Sequence, residues 1–190
     1  MTGDDDNDAV ANALIEEIAA ENGLSEFPNE NDLRGRLGTA LSEVAQLENA
    51  KPEGGVKVVV RGRSISLNET SWALLKATCG LALLGLAGPL AAPATGAILL
   101  ETVYSCRNVI RKLDATEQSI CAAVAEQRRQ KKLRKEAELR VTEAEITSYF
   151  HSREEDVPVD LDKVLDELVG DKDVLNRERE KNVAFYSIKF

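Results

Sequence analysis

Apolar residues recur at helical spacing through most of the chain and switch to alternation in only two places. Leu14 and Ile18 lie one turn apart in a short helix over about residues 9–21. Leu33, Leu37, Leu41, Val44 and Leu47 line one side of a second helix over about residues 31–49. Asn22-Gly23 ends the first helix, and Phe27-Pro28 with its neighbouring asparagines forms the connecting loop. The stretch Lys51-Pro52-Glu53-Gly54-Gly55 reads as a linker between domains. Val56 to Val60 and Ser64 to Leu67 then flank Arg61-Gly62-Arg63, a pattern that predicts a β-hairpin with a longer loop.

The middle of the chain is its most hydrophobic part. Ala73 to Ala87 is apolar almost all round, broken only by Lys76 and Thr78. Asn68 is placed to cap this helix, with Leu67 and Trp72 as the flanking apolar pair, and Gly88-Pro89 stops it. Pro93 and its small neighbours mark a turn or a new helix start. The next helix runs to about Lys112 with Leu99, Val103, Cys106, Ile110 and Leu113 in its stripe. Glu101, Ser105, Asn108, Arg111 and Lys112 fall on its outer side. Together the two predict an apolar helical hairpin.

That hairpin poses a choice of solvent. No charge interrupts Ala77 to Leu100, and an uncharged run of about 18 residues or more is a transmembrane candidate. Gly88-Pro89 and Pro93 break the run near its centre, and each half alone is shorter than the roughly 20 residues a crossing needs. The second half also turns amphipathic. Burial in a protein core is therefore the reading taken. Insertion of residues 72–104 into a membrane, with Lys76 snorkelling and Arg107, Arg111 and Lys112 as the cytoplasmic flank, stands as the alternative.

Local signals sharpen towards the C-terminus. Thr142-x-x-Glu145 has the form of a capping box, with Val141 and Ile146 beside it, and Ile146, Tyr149 and Phe150 follow at helical spacing. A second short helix begins near Asp160, a good N-cap type, and carries Leu161, Val164, Leu165 and Leu168 at i, i+3, i+4 and i+7. Gly170 stands where a left-handed C-terminal residue is wanted. Val174 and Leu175 start a strand, Asn176 to Asn182 reads as a charged turn, and Ala184, Tyr186, Ile188 and Phe190 alternate on one face of a last strand. The order resembles the winged helix-turn-helix superfamily, with its first helix between Leu113 and about Val141. In that superfamily the second helix of the turn commonly enters the DNA major groove. On this chain the resemblance implies that Asp160, Asp162, Lys163, Asp166 and Glu167 face the ligand. One lysine among four carboxylates suits a basic protein partner better than a phosphate backbone.

Composition narrows the field further. A chain of 190 residues with a formal charge of −9 is long enough for a real core, and globally acidic proteins are not typical nucleic-acid binders. The one basic cluster, Arg128, Arg129, Lys131, Lys132, Arg134 and Lys135, spreads around a helix, and Arg134 is placed to pair with Glu138 at i, i+4. It reads as a solvated connecting helix. With Arg177, Arg179 and Lys181 of the last hairpin it is also the candidate contact for phosphates. Cys79, Cys106 and Cys121 are widely spaced in apolar settings and read as free buried thiols of a reducing compartment. His151 is the only histidine, and no metal, nucleotide or nucleophile motif accompanies it. The pairs Asp160 with Asp162 and Asp171 with Asp173 lack the glycine and spacing of a calcium loop.

The expectation is a mainly α protein. It runs from an acidic tail (1–8) through N-terminal helices (9–50) and a linker (51–55) to the β-hairpin with the apolar helical hairpin (56–112), and then to a winged helix (113–190). It is expected to be non-enzymatic, without cofactor or metal, cytoplasmic, and to act as a regulatory or adaptor protein that docks a protein partner. A DNA-binding regulator and a membrane-associated protein are the alternatives, and homo-oligomerisation is left open.

Overall fold

The computed structural model describes residues 56–60, 63–67, 69–84 and 92–189, with helical residues 12, 14–17, 20, 36–41 and 43 near the N-terminus. Backbone alone is described at 56–60, 63–67, 69 and 92–96. The expectations for residues 1–8, Ile18, Asn22-Gly23, Phe27-Pro28, Leu33, Val44, Leu47, the 51–55 linker, Asn68, Gly88-Pro89 and Phe190 fall outside these residues.

Three helices carry the central core: α1 (Glu69–Leu83), α2 (Ala92–Lys112) and α3 (Ala115–Leu133). α1 packs on both α2 and α3. It starts about a turn earlier than its apolar run, because Ser71 is buried against a polar partner: its hydroxyl donates to Gln118 Oε1 at 2.5 Å. Gln118 in turn donates through Nε2 to the Leu113 carbonyl at 3.2 Å, so the buried amide is satisfied on both sides. The expected α2 stripe is buried, with Leu99, Val103, Cys106 and Ile110 inside and Leu113 just beyond the helix end. α3 begins with a capping box: Glu117 N donates to Asp114 Oδ1 at 2.9 Å and Asp114 N to Glu117 Oε2 at 2.8 Å. Among the described residues, no helix is long and apolar enough to cross a membrane.

Leu14, Ile15, Leu37, Ala40 and Leu41 bury their side chains in the same continuous core. Glu17 accepts from Trp72 Nε1 at 3.1 Å and pairs with Lys76 at 3.1 Å, while Glu43 pairs with Arg107 at 2.8 Å. The hairpin forms from β1 (Val56–Val60) and β2 (Arg63–Leu67), paired antiparallel from Val56↔Leu67 to Val60↔Arg63. That register places Arg63 in the strand opposite Val60 rather than in the expected loop.

The C-terminal part continues with β3 (Val141–Thr142), α4 (Glu143–Ser152), α5 (Leu161–Val169), β4 (Leu175–Glu180) and β5 (Val183–Ile188). The three strands form an antiparallel sheet in the order β3-β5-β4. Ile146, Tyr149 and Phe150 of α4 and Leu161, Leu165 and Leu168 of α5 close over it with α3. The box at Thr142 forms as read: Thr142 N donates to Glu145 Oε2 at 2.7 Å, and Glu145 N to Thr142 Oγ1 at 3.3 Å.

Four local readings are corrected. The charged run after Leu175 is strand rather than turn, because β4 is an edge strand whose polar side chains meet water while its backbone pairs with β5. The turn shrinks to Lys181 and Asn182, both at positive φ (47° and 70°). Gly170 is not left-handed (φ −88°); Asp173 (φ 56°) takes that conformation, with Lys172 N and Val174 N closing on Glu167 O and Leu168 O. Asp160 occupies the N-cap of α5 without a side-chain cap bond. Arg134 pairs with Glu136 and not Glu138, because α3 stops at Leu133 and Lys135 turns the chain at φ 57°.

Candidate docking surface

α5 presents the polar side of a strongly amphipathic helix. Asp162, Lys163 and Asp166 are exposed, Glu167 is half-exposed, and Asp160 stands exposed in the turn before them. Internal pairing removes part of this charge. Lys163 and Glu167 meet at 3.7 Å, and Arg177 reaches from β4 to Asp166. Asp160 and Asp162 are left, joined by Glu143 from the first turn of α4. Glu143 and Asp162 stand close enough to interact. Burial first, then the neighbouring Asp162 carboxylate, hold the Glu143 carboxyl above its ordinary pKa. These acids border a shallow concavity of about 400 Å³ between α4 and the turn before α5, floored by Val157, Pro158 and Leu161. Val159, in the same lining, is 99% exposed.

The six clustered cations do not share a face. Arg129 is buried and forked onto Glu126 (Nε–Oε2 and Nη2–Oε1, both 2.7 Å). Lys131 is buried and donates to Glu145 Oε1 and to the Arg140 carbonyl, each at 2.7 Å. Arg128 is half-buried, and its Nη1 donates to the Ile188 carbonyl at 3.4 Å. Lys132 lies half-buried one turn on. Arg134 and Lys135 are exposed at the helix end. Two of the six thus fasten α3 to its neighbours, Lys131 to α4 and Arg128 to the end of β5, while Arg129 is taken up within its own helix. In the last hairpin, Arg177 is taken by Asp166, while Arg179 and Lys181 are exposed.

A cluster missed in sequence surrounds Arg140. Its guanidinium meets Glu138 (Nε–Oε1 2.9 Å), Glu180 (Nη2–Oε1 2.7 Å) and Glu178, and lies 4.8 Å over the Phe185 ring. The bond from Arg140 holds the Glu138 carboxyl at about 2. The signal was present as alternating charge in Glu138-x-Arg140 and in Arg177 to Glu180, but pairing across the sheet, not spacing, brings them together. A larger groove of about 790 Å³ runs between α1, α3 and α4, bordered by Trp72, Lys76, Arg129, Tyr149 and Arg153. Arg153 lies 5.5 Å over the Tyr149 ring.

His151 is exposed at the end of α4. The three thiols are free and buried, and burial pushes Cys106 up to about 12 and raises Cys79 and Cys121 as well. Among the described residues, no three His, Cys, Asp or Glu side chains come together to hold a metal ion. No family profile, no curated protein and no solved structure matches this chain.

Proposed function

We propose that residues 113–190 form a winged helix-turn-helix module that docks a basic protein segment on its α4–α5 face, and that the protein is a non-enzymatic adaptor or regulator. The order helix–strand–helix–helix–strand–strand, with the last strand central in the sheet, supports the module. The observation that carries the docking reading is the fully exposed Val159 beside Asp160, Asp162 and Glu143, none of which has a cationic partner in the structure described. An apolar anchor beside uncompensated carboxylates fits a segment with a small hydrophobic residue flanked by Lys or Arg. A cation there would also relieve the repulsion between Glu143 and Asp162. Buried free thiols fit a reducing compartment, and the cytoplasm is the proposed location.

The test is co-purification from native extract with the wild type, Val159→Asp and the double variant Asp160→Lys/Asp162→Lys. These side chains lie outside the core, so stability should change by no more than about 0.5 kcal/mol. The same basic partner should be retained by the wild type and lost by both variants. Partners retained equally by all three would remove the reading. A gel shift that weakens with salt and with substitution of Arg134, Arg179 and Lys181 would replace it with nucleic-acid binding.

A further inference from the structure

Arg128 is an unusual cation for its setting. It stands on α3 where α1, α2 and the end of β5 meet, and its Nε is buried with no acceptor. Nη1 holds only the long 3.4 Å bond to Ile188 O. The Nε–Nη2 edge, the two-pronged side that matches a carboxylate, has no partner among the described residues. Lys132 follows at i+4 on the same helix and likewise has no carboxylate paired with it there. Burial lowers the proton affinity of Arg128, and burial followed by the neighbouring Arg128 charge lowers that of Lys132. Two like charges, the first largely buried and the second half-buried, thus stand a turn apart with no carboxylate paired to either among the described residues. A buried donor left unsatisfied is destabilising, and more so when it is charged.

Both cations border a cavity of about 400 Å³, which falls within the range of about 300–1,000 Å³ typical of small-ligand sites. Its other walls are apolar: Leu81 and Ala82 from α1, Ile98 from α2, Leu139, and Ile188 from β5. The hydroxyls that border it are turned to their own helices, Thr78 donating to Leu74 O and Thr102 to Ile98 O, each at 2.7 Å. The one acid in the lining, Glu101, is exposed on α2 and pairs with neither cation. One end is therefore cationic, and the rest is mainly apolar, with Thr78, Thr102, Ser105 and Glu101 as its polar border.

We propose that this cavity binds an aliphatic carboxylate of medium chain length, with its head between Arg128 and Lys132 and its tail against Leu81, Ile98 and Ile188. The site lies away from the α4–α5 face and does not depend on the docking reading. The head neutralises the pair, and the tail removes apolar wall from water.

The experiment is calorimetric titration of the full chain with decanoate below its micelle concentration, alongside decanol, propionate and inorganic phosphate. Decanoate should bind and raise the melting temperature. Each of the other three, lacking charge, tail or both planarity and tail, should bind at least about ten-fold more weakly. Lys132→Gln sits at a half-exposed position that tolerates the change, and it should weaken decanoate about ten-fold. Ala82→Phe, which fills the apolar part, should abolish decanoate binding. No decanoate binding, decanol or phosphate binding as tightly as decanoate, or an affinity unmoved by Lys132→Gln, each overturns the proposal.

Discussion

Replacing Lys131 by methionine should separate what the basic run does from how it looks. The lysine side chain is only 8% exposed, and its ammonium makes two bonds of 2.7 Å, to Glu145 Oε1 and to the Arg140 carbonyl. Methionine keeps most of the aliphatic stem in place, so packing loss is small. Hydrogen bonds to charged groups contribute about 1.5–3 kcal/mol each, and breaking a fully buried pair costs about 3–5 kcal/mol. Glu145 is 35% exposed, so water recovers part of the orphaned carboxylate, and the net loss should be about 2–4 kcal/mol. At about 2–4 °C per kcal/mol for a chain of this size, the melting temperature falls by about 5–15 °C. Urea unfolding at neutral pH, with calorimetry for the temperature scale, measures both. A second arm tests the cause. Thr142→Ala removes a helix cap, for about 1 kcal/mol. Because Thr142 and Lys131 hold the same Glu145 carboxylate, the double variant should depart from additivity by at least about 0.5 kcal/mol. A loss below about 1 kcal/mol for the lysine change, or strict additivity, would show that Lys131 is a solvated cation after all.

Two further expectations follow from the electrostatics. Arg140 holds the Glu138 carboxyl at about 2 against an ordinary 4.5, and the pairs around Glu145 also keep its carboxyl low. A depressed folded-state pKa stabilises above the ordinary value and is lost as pH falls, so urea midpoints should decline from about pH 4.5 towards about 2. Glu138→Gln should flatten that decline, and a profile identical to wild type would count against the network. Cys106, pushed up to about 12 by burial, and the likewise raised Cys79 and Cys121 should resist thiol reagents at pH 8 in the native protein and all react in urea. Rapid labelling without denaturant would contradict their burial.

Legibility tracked the range of the interactions involved. The Thr142–Glu145 box and the Leu161, Leu165 and Leu168 stripe depend on residues a turn or two apart, and both stand as read. The Asp114–Glu117 box at α3 belongs to the same local grammar: it too depends on residues three apart. β4 was misread for a physical reason. Most of its side chains are charged, and what makes it a strand is a ladder of backbone bonds to β5, so its own pattern carries no alternation of apolar with polar residues. Gly170 misled because the chain closes α5 with backbone bonds to Glu167 and Leu168 and reserves the left-handed turn for Asp173.

The destination of each charge was the least legible property, and it is the one that decides binding. With 33 acids against 24 bases, folding can give most cations a carboxylate and still leave acids over. Arg129, Lys131, Arg140, Lys172 and Arg177 are all taken this way, by Glu126, Glu145, three glutamates, Glu117 and Asp166. What stays unpaired is uneven. Asp160 and Asp162 remain at the surface beside an exposed valine, while Arg128, largely buried, and the half-buried Lys132 remain beside a mainly apolar cavity. A surface excess of one sign attracts a partner of the other through water and weakens with salt. A desolvated excess is felt by a group that leaves water to reach it, and depends little on salt. The two surpluses should therefore respond differently to ionic strength. Docking on the α4–α5 face should weaken several-fold between about 0.05 and 0.5 M salt, whereas occupancy of the Arg128–Lys132 cavity should barely change. Equal salt sensitivity at both would mean that the inner pair is hydrated, and that its missing partner is water rather than a ligand.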